Sequence, residues 1–196
     1  MLTVLLDNGH GGIINGKYQT KGKRSPLYKD GSQLFEGEFN RYIVNGIISK
    51  LTVLGIPYVN ITPEYEDISL SERCARANNY DNSVLISIHS NAGGGNGFEA
   101  YTYTGESKSD EYASIMYDEF QKEFPSLRAR TDYSDGDPDK EAAFYILKHT
   151  KMPAILTESF FMDNYHECKE YLLSKNGRRR IINFHVDAIK KMVDYA

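Results

Sequence analysis

An α/β fold is what this chain predicts: one three-layer domain with a mainly parallel sheet between two layers of helices. Three observations predict it. Segments of strand character alternate with helical patterns along the whole chain. The apolar runs at Leu2–Asp7, Val84–Ser90 and Ala154–Phe160 are near-continuous, the pattern of strands covered on both faces. The 196 residues suffice for one core and are short for two, and no repeat or linker interrupts them, so residues 1–196 read as a single domain.

The first strand, Leu2–Asp7, runs into "DNGHGG", which sets His10 between glycines at a strand end. A long loop follows at Ile13–Leu34, basic through Lys17, Lys21, Lys23, Arg24 and Lys29; loops of this length are functional or disordered. Glu36–Leu54 is helical, because Phe39, Ile43, Ile47, Leu51 and Leu54 recur on one stripe. Pro57–Thr62 reads as the second strand. "SLSE" at Ser69–Glu72 is a capping box that starts a helix reaching Tyr80. Val84–Ser90 is the third strand and carries His89 near its end. Phe98–Thr104 alternates and is rich in aromatics and threonine, as an edge or antiparallel strand is. A helix at Ser107–Phe124 leads to an acidic, turn-rich loop, "TDYSDGDPD" (Thr131–Asp139). Glu141–His149 reads as a helix, Ala154–Phe160 as the last strand with Glu158 near its end, and Arg178–Tyr195 as the closing helix.

Composition excludes several functions. A formal charge of −4 gives no reason to expect nucleic acid. No apolar stretch approaches the roughly 20 residues of a membrane span. Cys74 and Cys168 form no CxxC pair, so no disulfide is implied. The amino terminus has neither a basic n-region nor a small-residue cleavage site. The expectation is synthesis in the cytoplasm without a signal peptide, or a trimmed chain.

In open α/β sheets, sites form beyond the carboxyl ends of the strands. His10, His89 and Glu158 lie at three such ends. Catalytic zinc usually takes three protein ligands, and two histidines with a carboxylate satisfy that. Helix geometry separates the two carboxylates of "FEGEFN". Glu36 falls on the Phe39/Ile43/Ile47 stripe, and Glu38 falls on the other side with Arg41, Asn45 and Ser49, towards solvent. A carboxylate on an apolar stripe is costly unless a cation pairs it, and a metal, lysine or arginine would serve. Plainer readings remain at this point: His10 as a turn residue, His89 as a satisfied buried histidine, Glu36 as a carboxylate favoured by the helix dipole, Glu158 as a salt-bridge partner. His149, His166 and His185 read as structural. No HExxH is present, so a one-helix zinc site is not available.

"DNGHGG", "FEGEFN", "SERCARAN", "LISIHSNA" and "PAILTESFFMDN" occur in the order and at roughly the spacing found in the zinc-dependent N-acetylmuramoyl-L-alanine amidases of the amidase_3 type. The chain resembles that family over essentially its whole length. The resemblance implies a twisted, mostly parallel six-stranded sheet with helices on both faces. It also implies one zinc ion on His10, Glu36 and His89, with Glu158 as the catalytic glutamate. The implied reaction is hydrolysis, by zinc-activated water, of the amide between N-acetylmuramic acid and L-alanine in peptidoglycan. Arg73 and Asn78 match family positions and are expected to brace the site, and Asp7 or Asn8 to hold the His10 imidazole.

The alternatives are a zinc peptidase acting within the stem peptide and a non-catalytic wall-binding module. The chain departs from the family at Asn8, often Pro, and at Ser159–Phe160, where x-Gly is common, so a bulkier floor is expected. Its 13–34 loop is basic, and is expected either to contact stem-peptide carboxylates or to be merely solvated. A monomer is expected, with no separate wall-binding domain. A phage or prophage endolysin, released from the cytoplasm to act on the wall, and a trimmed autolysin domain fit equally.

Overall fold

Side chains alternating across three central strands build both layers of the core. The computed structural model describes residues 1–105 and 107–196. In chain order the elements are β1 (Thr3–Asn8), the hairpin β2 (Ile13–Ile14) and β3 (Lys17–Tyr18), α1 (Glu36–Leu54), β4 (Tyr58–Asn60), α2 (Leu70–Ala77), β5 (Ser83–Asn91) and β6 (Phe98–Thr102). Then come α3 (Lys108–Glu123), β7 (Lys140–Glu141), α4 (Tyr145–Lys148), β8 (Ala154–Phe161), α5 (Tyr165–Glu167), a π-helical turn at Cys168–Leu173, and α6 (Lys175–Tyr195). Val4, Leu6, Ile86, Ile88 and Ile155 pack with α1, α3 and α6. Leu5, Leu85 and Leu156 face the opposite layer, against α2 and α4. Each such side chain contributes about 1.5–3 kcal/mol by leaving water. The unbroken apolar runs therefore reflect burial on both faces.

The six-stranded sheet has the order β4-β1-β5-β8-β6-β7. All neighbouring pairs are parallel except β6 with β8. From β1 the chain crosses to β4 on one side, and returns through α2 to β5 on the other. The carboxyl ends of β1 and β5 therefore part at a topological switch point, where such sheets open a crevice.

Three expectations need correction. Only Tyr145–Lys148 of the segment Glu141–His149 is helical. Lys140 and Glu141 instead pair with Tyr101 and Thr102 of β6, and Lys140 Nζ reaches Glu99 at 2.6 Å, so a distant strand and carboxylate outweigh local helix preference. β6 is antiparallel to β8, as one of its two expected readings has it, and β7 lies on its other side. Ser69 caps α2 by accepting from Glu72 N–H, but the Glu72 carboxylate turns to Arg76 at 2.9 Å, so the reciprocal half of the box is not made and the helix ends at Ala77. Leu54, the last position of the α1 stripe, is exposed.

His185 on α6 is fully buried, as a structural histidine would be. Its Nδ1–H donates to the Ile181 carbonyl (2.8 Å), and its Nε2 accepts from the Thr157 hydroxyl (3.1 Å). Burial holds its pKa down at about 4. The unfolded imidazole takes a proton near pH 6.5, and the folded one refuses it until about 4. Stability from this group is therefore complete above pH 6.5 and falls as pH drops through that window. Urea denaturation of the wild type at pH 7 and pH 5 is expected to show this group costing about 2 kcal/mol, a difference that His185→Gln removes.

Candidate metal centre

The crevice above β1 and β5 gathers the polar residues. β1 ends at Asn8, and two residues later His10 takes a left-handed conformation (φ 70°). That conformation costs an L-residue about 1–2 kcal/mol and turns the imidazole back over the sheet. Gly9 lets the turn lie against β5, since a Cβ there would overlap the His89 ring. A Cβ on Gly37 would likewise overlap the Gly11 carbonyl, so glycine permits the start of α1 to press on this loop. Asn40 fixes the arrangement by donating to the Gly9 carbonyl at 2.7 Å.

Glu36, the first residue of α1, is only 2% exposed. Its Oε1 lies 3.3 Å from His10 Nε2 and 3.0 Å from His89 Nδ1. One ligand atom from each of His10, Glu36 and His89 falls within 4.8 Å of the others. Burial opposes ionisation of Glu36, but the two imidazoles outweigh it and hold the carboxyl well below its usual range. Burial also lowers His10, with Glu36 only partly compensating. For His89 burial is outweighed by Glu36 and Glu158, and its pKa rises.

A chain of hydrogen bonds fixes the His89 tautomer. Arg73 Nη1 donates to Asp7 Oδ1 at 2.6 Å, and Ser87 Oγ donates to Asp7 Oδ2 at 2.6 Å. The single Ser87 proton is thereby committed, because an ionised carboxylate can only accept. Ser87 Oγ must then accept from His89 Nε2–H, 3.1 Å away. Nδ1 is left to face Glu36 and His10. Burial would raise Asp7, but Arg73 and the Ser87 hydroxyl hold it ionised, with its pKa lowered. The network was not read from sequence, although strand alternation places residues 87 and 89 on one side.

Glu158 lies in register with His89 on β8. Its Oε2 is buried without a partner among the described residues. Burial, with the Glu36 charge adding, pushes its pKa up to about 8. His10, His89 and Glu158 line a cavity of about 500 Å³ with Lys23, Arg73 and Tyr145. The 13–34 loop is pinned over the start of α1. The Lys23 carbonyl accepts from Glu36 N–H (3.0 Å) and from the Tyr18 hydroxyl (2.8 Å), which itself accepts from Gly37 N–H (2.9 Å). Of the five loop cations, Lys23 lines the cavity.

Several sequence-based placements change. Glu38 does not simply face solvent: it accepts from Ile13 N–H at 2.7 Å. Arg41 is buried, over the Tyr65 ring and donating to the Glu64 carbonyl at 2.7 Å. Arg73 does brace the centre, through Asp7 and the Asn8 carbonyl. Asn78 does not: it holds the turn before β8, bonding the His149 carbonyl and Lys151 N–H. Asp7 acts on His89 rather than His10, and Asn8 ties β1 to Thr62. Phe160 does not form the cavity floor. It has φ 61° and packs into the α3–α6 layer, stacked on Tyr171.

Residues 4–191 match a family model described as N-acetylmuramoyl-L-alanine amidase. The N-acetylmuramoyl-L-alanine amidase CwlM of Bacillus licheniformis is 38% identical over 106 residues, 54% of this chain and 39% of that protein. The endolysin of Bacillus phage SPP1 is 30% identical over 184 residues, 89% of this chain and 59% of that protein. The chain thus spans about two to three fifths of the length of these curated relatives. The solved catalytic domain of CwlV, an N-acetylmuramoyl-L-alanine amidase from Bacillus (Paenibacillus) polymyxa, has the same fold, with a TM-score of 0.79 at 24% identity and full coverage of both chains.

Removing the Ser87 hydroxyl leaves His89 Nε2–H without its acceptor and frees the ring. Ser87→Ala is expected to weaken zinc binding by about 10–100-fold, measured by competition with a chelating dye, and to cost about 1–3 kcal/mol of stability through the buried groups left unpaired. Unchanged zinc affinity would remove Ser87 from the centre.

Proposed function

Because the chain belongs to the N-acetylmuramoyl-L-alanine amidase family, we propose that it hydrolyses the amide joining N-acetylmuramic acid to L-alanine in peptidoglycan, at a zinc centre formed by His10, Glu36 and His89. The observation that carries this reading is the convergence of two imidazoles and a buried carboxylate beside a second carboxylate, Glu158, whose buried Oε2 has no partner among the described residues. The donors fit zinc. They are the nitrogen–oxygen set of a catalytic site, three in number, and His10 Nε2 is buried with no hydrogen-bond partner among the described residues. The Ser87–Asp7–Arg73 chain leaves His89 Nδ1 as the free donor.

Zinc, when bound, supplies Lewis acidity towards water and the amide carbonyl. This chain's residues do the rest. His10, Glu36 and His89 fix the geometry at the carboxyl ends of β1 and β5. Glu158 takes a proton from the attacking water as its oxygen bonds to the lactyl carbonyl carbon. As the carbon–nitrogen bond breaks, Glu158 returns that proton to the departing L-alanine nitrogen. The products are a muramoyl carboxylate and a stem peptide with a free amino terminus. Burial raises the Glu158 pKa, which strengthens its carboxylate as a proton acceptor. Lys23, which lines the cavity, would meet a stem-peptide carboxylate there. The substrate lies in the cell wall, and no helix among the described residues is long and apolar enough to cross a membrane.

Mass spectrometry of digested peptidoglycan is expected to show new amino-terminal L-alanine on intact glycan strands, abolished by chelator and restored by zinc. New termini within the stem peptide would point to a peptidase instead. Glu158→Ala is expected to keep zinc and lose about 10²–10⁴ in kcat. His89→Ala is expected to lose zinc as measured by elemental analysis. Near-wild-type turnover in Glu158→Ala would refute its role.

Lys23→Ser is expected to raise KM on purified muropeptides several-fold with kcat little changed. An unchanged KM would leave Lys23 a solvated side chain.

A further inference from the structure

A second cluster of carboxylates lies at the far edge of the sheet. Asp110 stands in the first turn of α3, and Asp137 and Asp139 end the acidic loop. One oxygen from each lies within 4.8 Å of the others. Asp139 is 2% exposed and Asp110 8%. Their outer oxygens are satisfied: Asp139 Oδ2 accepts from the Thr102 hydroxyl at 2.6 Å, and Asp110 Oδ2 from Ser107 N–H at 2.5 Å. The Oδ1 atoms of Asp110, Asp137 and Asp139 remain, each shielded from solvent with no partner among the described residues. Nor, among those residues, does any lysine, arginine or histidine pair with the three.

We propose that Asp110, Asp137 and Asp139 form a structural calcium site, separate from the metal centre and independent of the amidase reading. Buried like charges at this spacing repel one another and have lost their hydration, so something positive must enter. A proton is one possibility: burial and the neighbouring Asp137 push Asp139 well above the usual carboxylate range. One proton still leaves two carboxylates together. A divalent cation answers all three oxygens at once. Donors that are all oxygen select a hard cation and not zinc. Calcium–oxygen bonds of about 2.3–2.6 Å hold any two ligands no more than about 5.2 Å apart, a limit met by oxygens within 4.8 Å of one another, and water completes its shell.

The site's position gives it a purpose. Thr102 follows Tyr101, which is level with Leu156, so the cluster lies towards the start of β8 while Glu158 lies towards its end. From Asp139 the chain continues through β7 to Phe144, Tyr145 and Ile146, which line the catalytic cavity. Calcium would clamp the acidic loop to α3 and β6, and so fix the segment that carries that wall.

The test uses protein dialysed against EGTA, freed of chelator by a second dialysis, reloaded with one equivalent of zinc and titrated with CaCl₂. Calorimetry is expected to show one calcium per chain with Kd of about 10⁻⁴–10⁻³ M. Tm should rise, and chymotryptic cleavage at the exposed Tyr133 should slow. Asp137→Asn and Asp139→Asn should lose all three responses. Asp137 is half-exposed, so its variant is expected to keep wild-type circular dichroism and to report on calcium alone. No heat and no Tm shift in folded wild type at 10 mM CaCl₂ would overturn the site, as would calcium responses that survive in both variants. An equal response to MgCl₂ would overturn its assignment to calcium.

Discussion

The structure depends on burying one carboxylate, that of Glu36, between two imidazoles. Taking such a charge out of water costs several kcal/mol even after relaxation. Neutral imidazoles answer it poorly here. His89 has spent its Nε2–H on Ser87, so Nδ1 donates to Glu36 only if the ring carries a second proton. His10 Nε2 approaches the same oxygen from the other side. One carboxylate oxygen thus meets two ring nitrogens, an arrangement that a cation among the three satisfies. The fall in the Glu36 pKa has its origin here, and so has part of the rise in that of His89, to which Glu158 adds.

The requirement spreads outward through named contacts. His10 can reach Glu36 only by leaving β1 through a left-handed turn, and His89 can lie beneath that turn only if residue 9 has no Cβ. Glu36 reaches the crevice because Gly37 lets the helix start touch the Gly11 carbonyl. The 13–34 loop must then lie over that start, where the Lys23 carbonyl and the Tyr18 hydroxyl meet the N–H groups of Glu36 and Gly37. Further back, Asp7 and Arg73 are both almost wholly buried. Breaking such a pair by deleting one member costs about 3–5 kcal/mol, chiefly through the charge left behind. That rigidity passes through Ser87 to the His89 ring.

The layers and the site were legible where local periodicity carries the information. Continuous apolar runs marked β1, β5 and β8 because both faces of those strands are covered. The angle between Glu36 and Glu38 on one helix placed Glu36 on the core side. The same angle could not say what covers the other side, and Arg41 is buried there by Tyr65 and Glu64, residues more than 20 positions away. The Asp7 bonds to Arg73 and Ser87 span 66 and 80 residues. Only the Ser87–His89 step had a local signal. Glu141 misled for the same reason in reverse: its surroundings favour a helix, but its partner is a strand near residue 102.

Phe160 shows how magnitudes decide a departure from expectation. A bulky residue at φ 61° carries strain of order 1–3 kcal/mol, and glycine would relieve it. Against this, Phe160 is fully buried, with ring centroids 4.4 Å from Tyr171, 5.2 Å from Phe124 and 5.9 Å from Phe120. Burial of the ring contributes about 1.5–3 kcal/mol, and each aromatic contact adds about 0.5–1.5. Packing therefore outweighs strain, and the phenylalanine belongs to the core rather than the cavity. The turn also has a use at the site. It comes at a shift in register between β5 and β8, where Phe160 N–H meets the Gly97 carbonyl and Glu167 receives the N–H groups of Phe161 and Gly97. Held there, β8 cannot slide, and Glu158 stays level with His89.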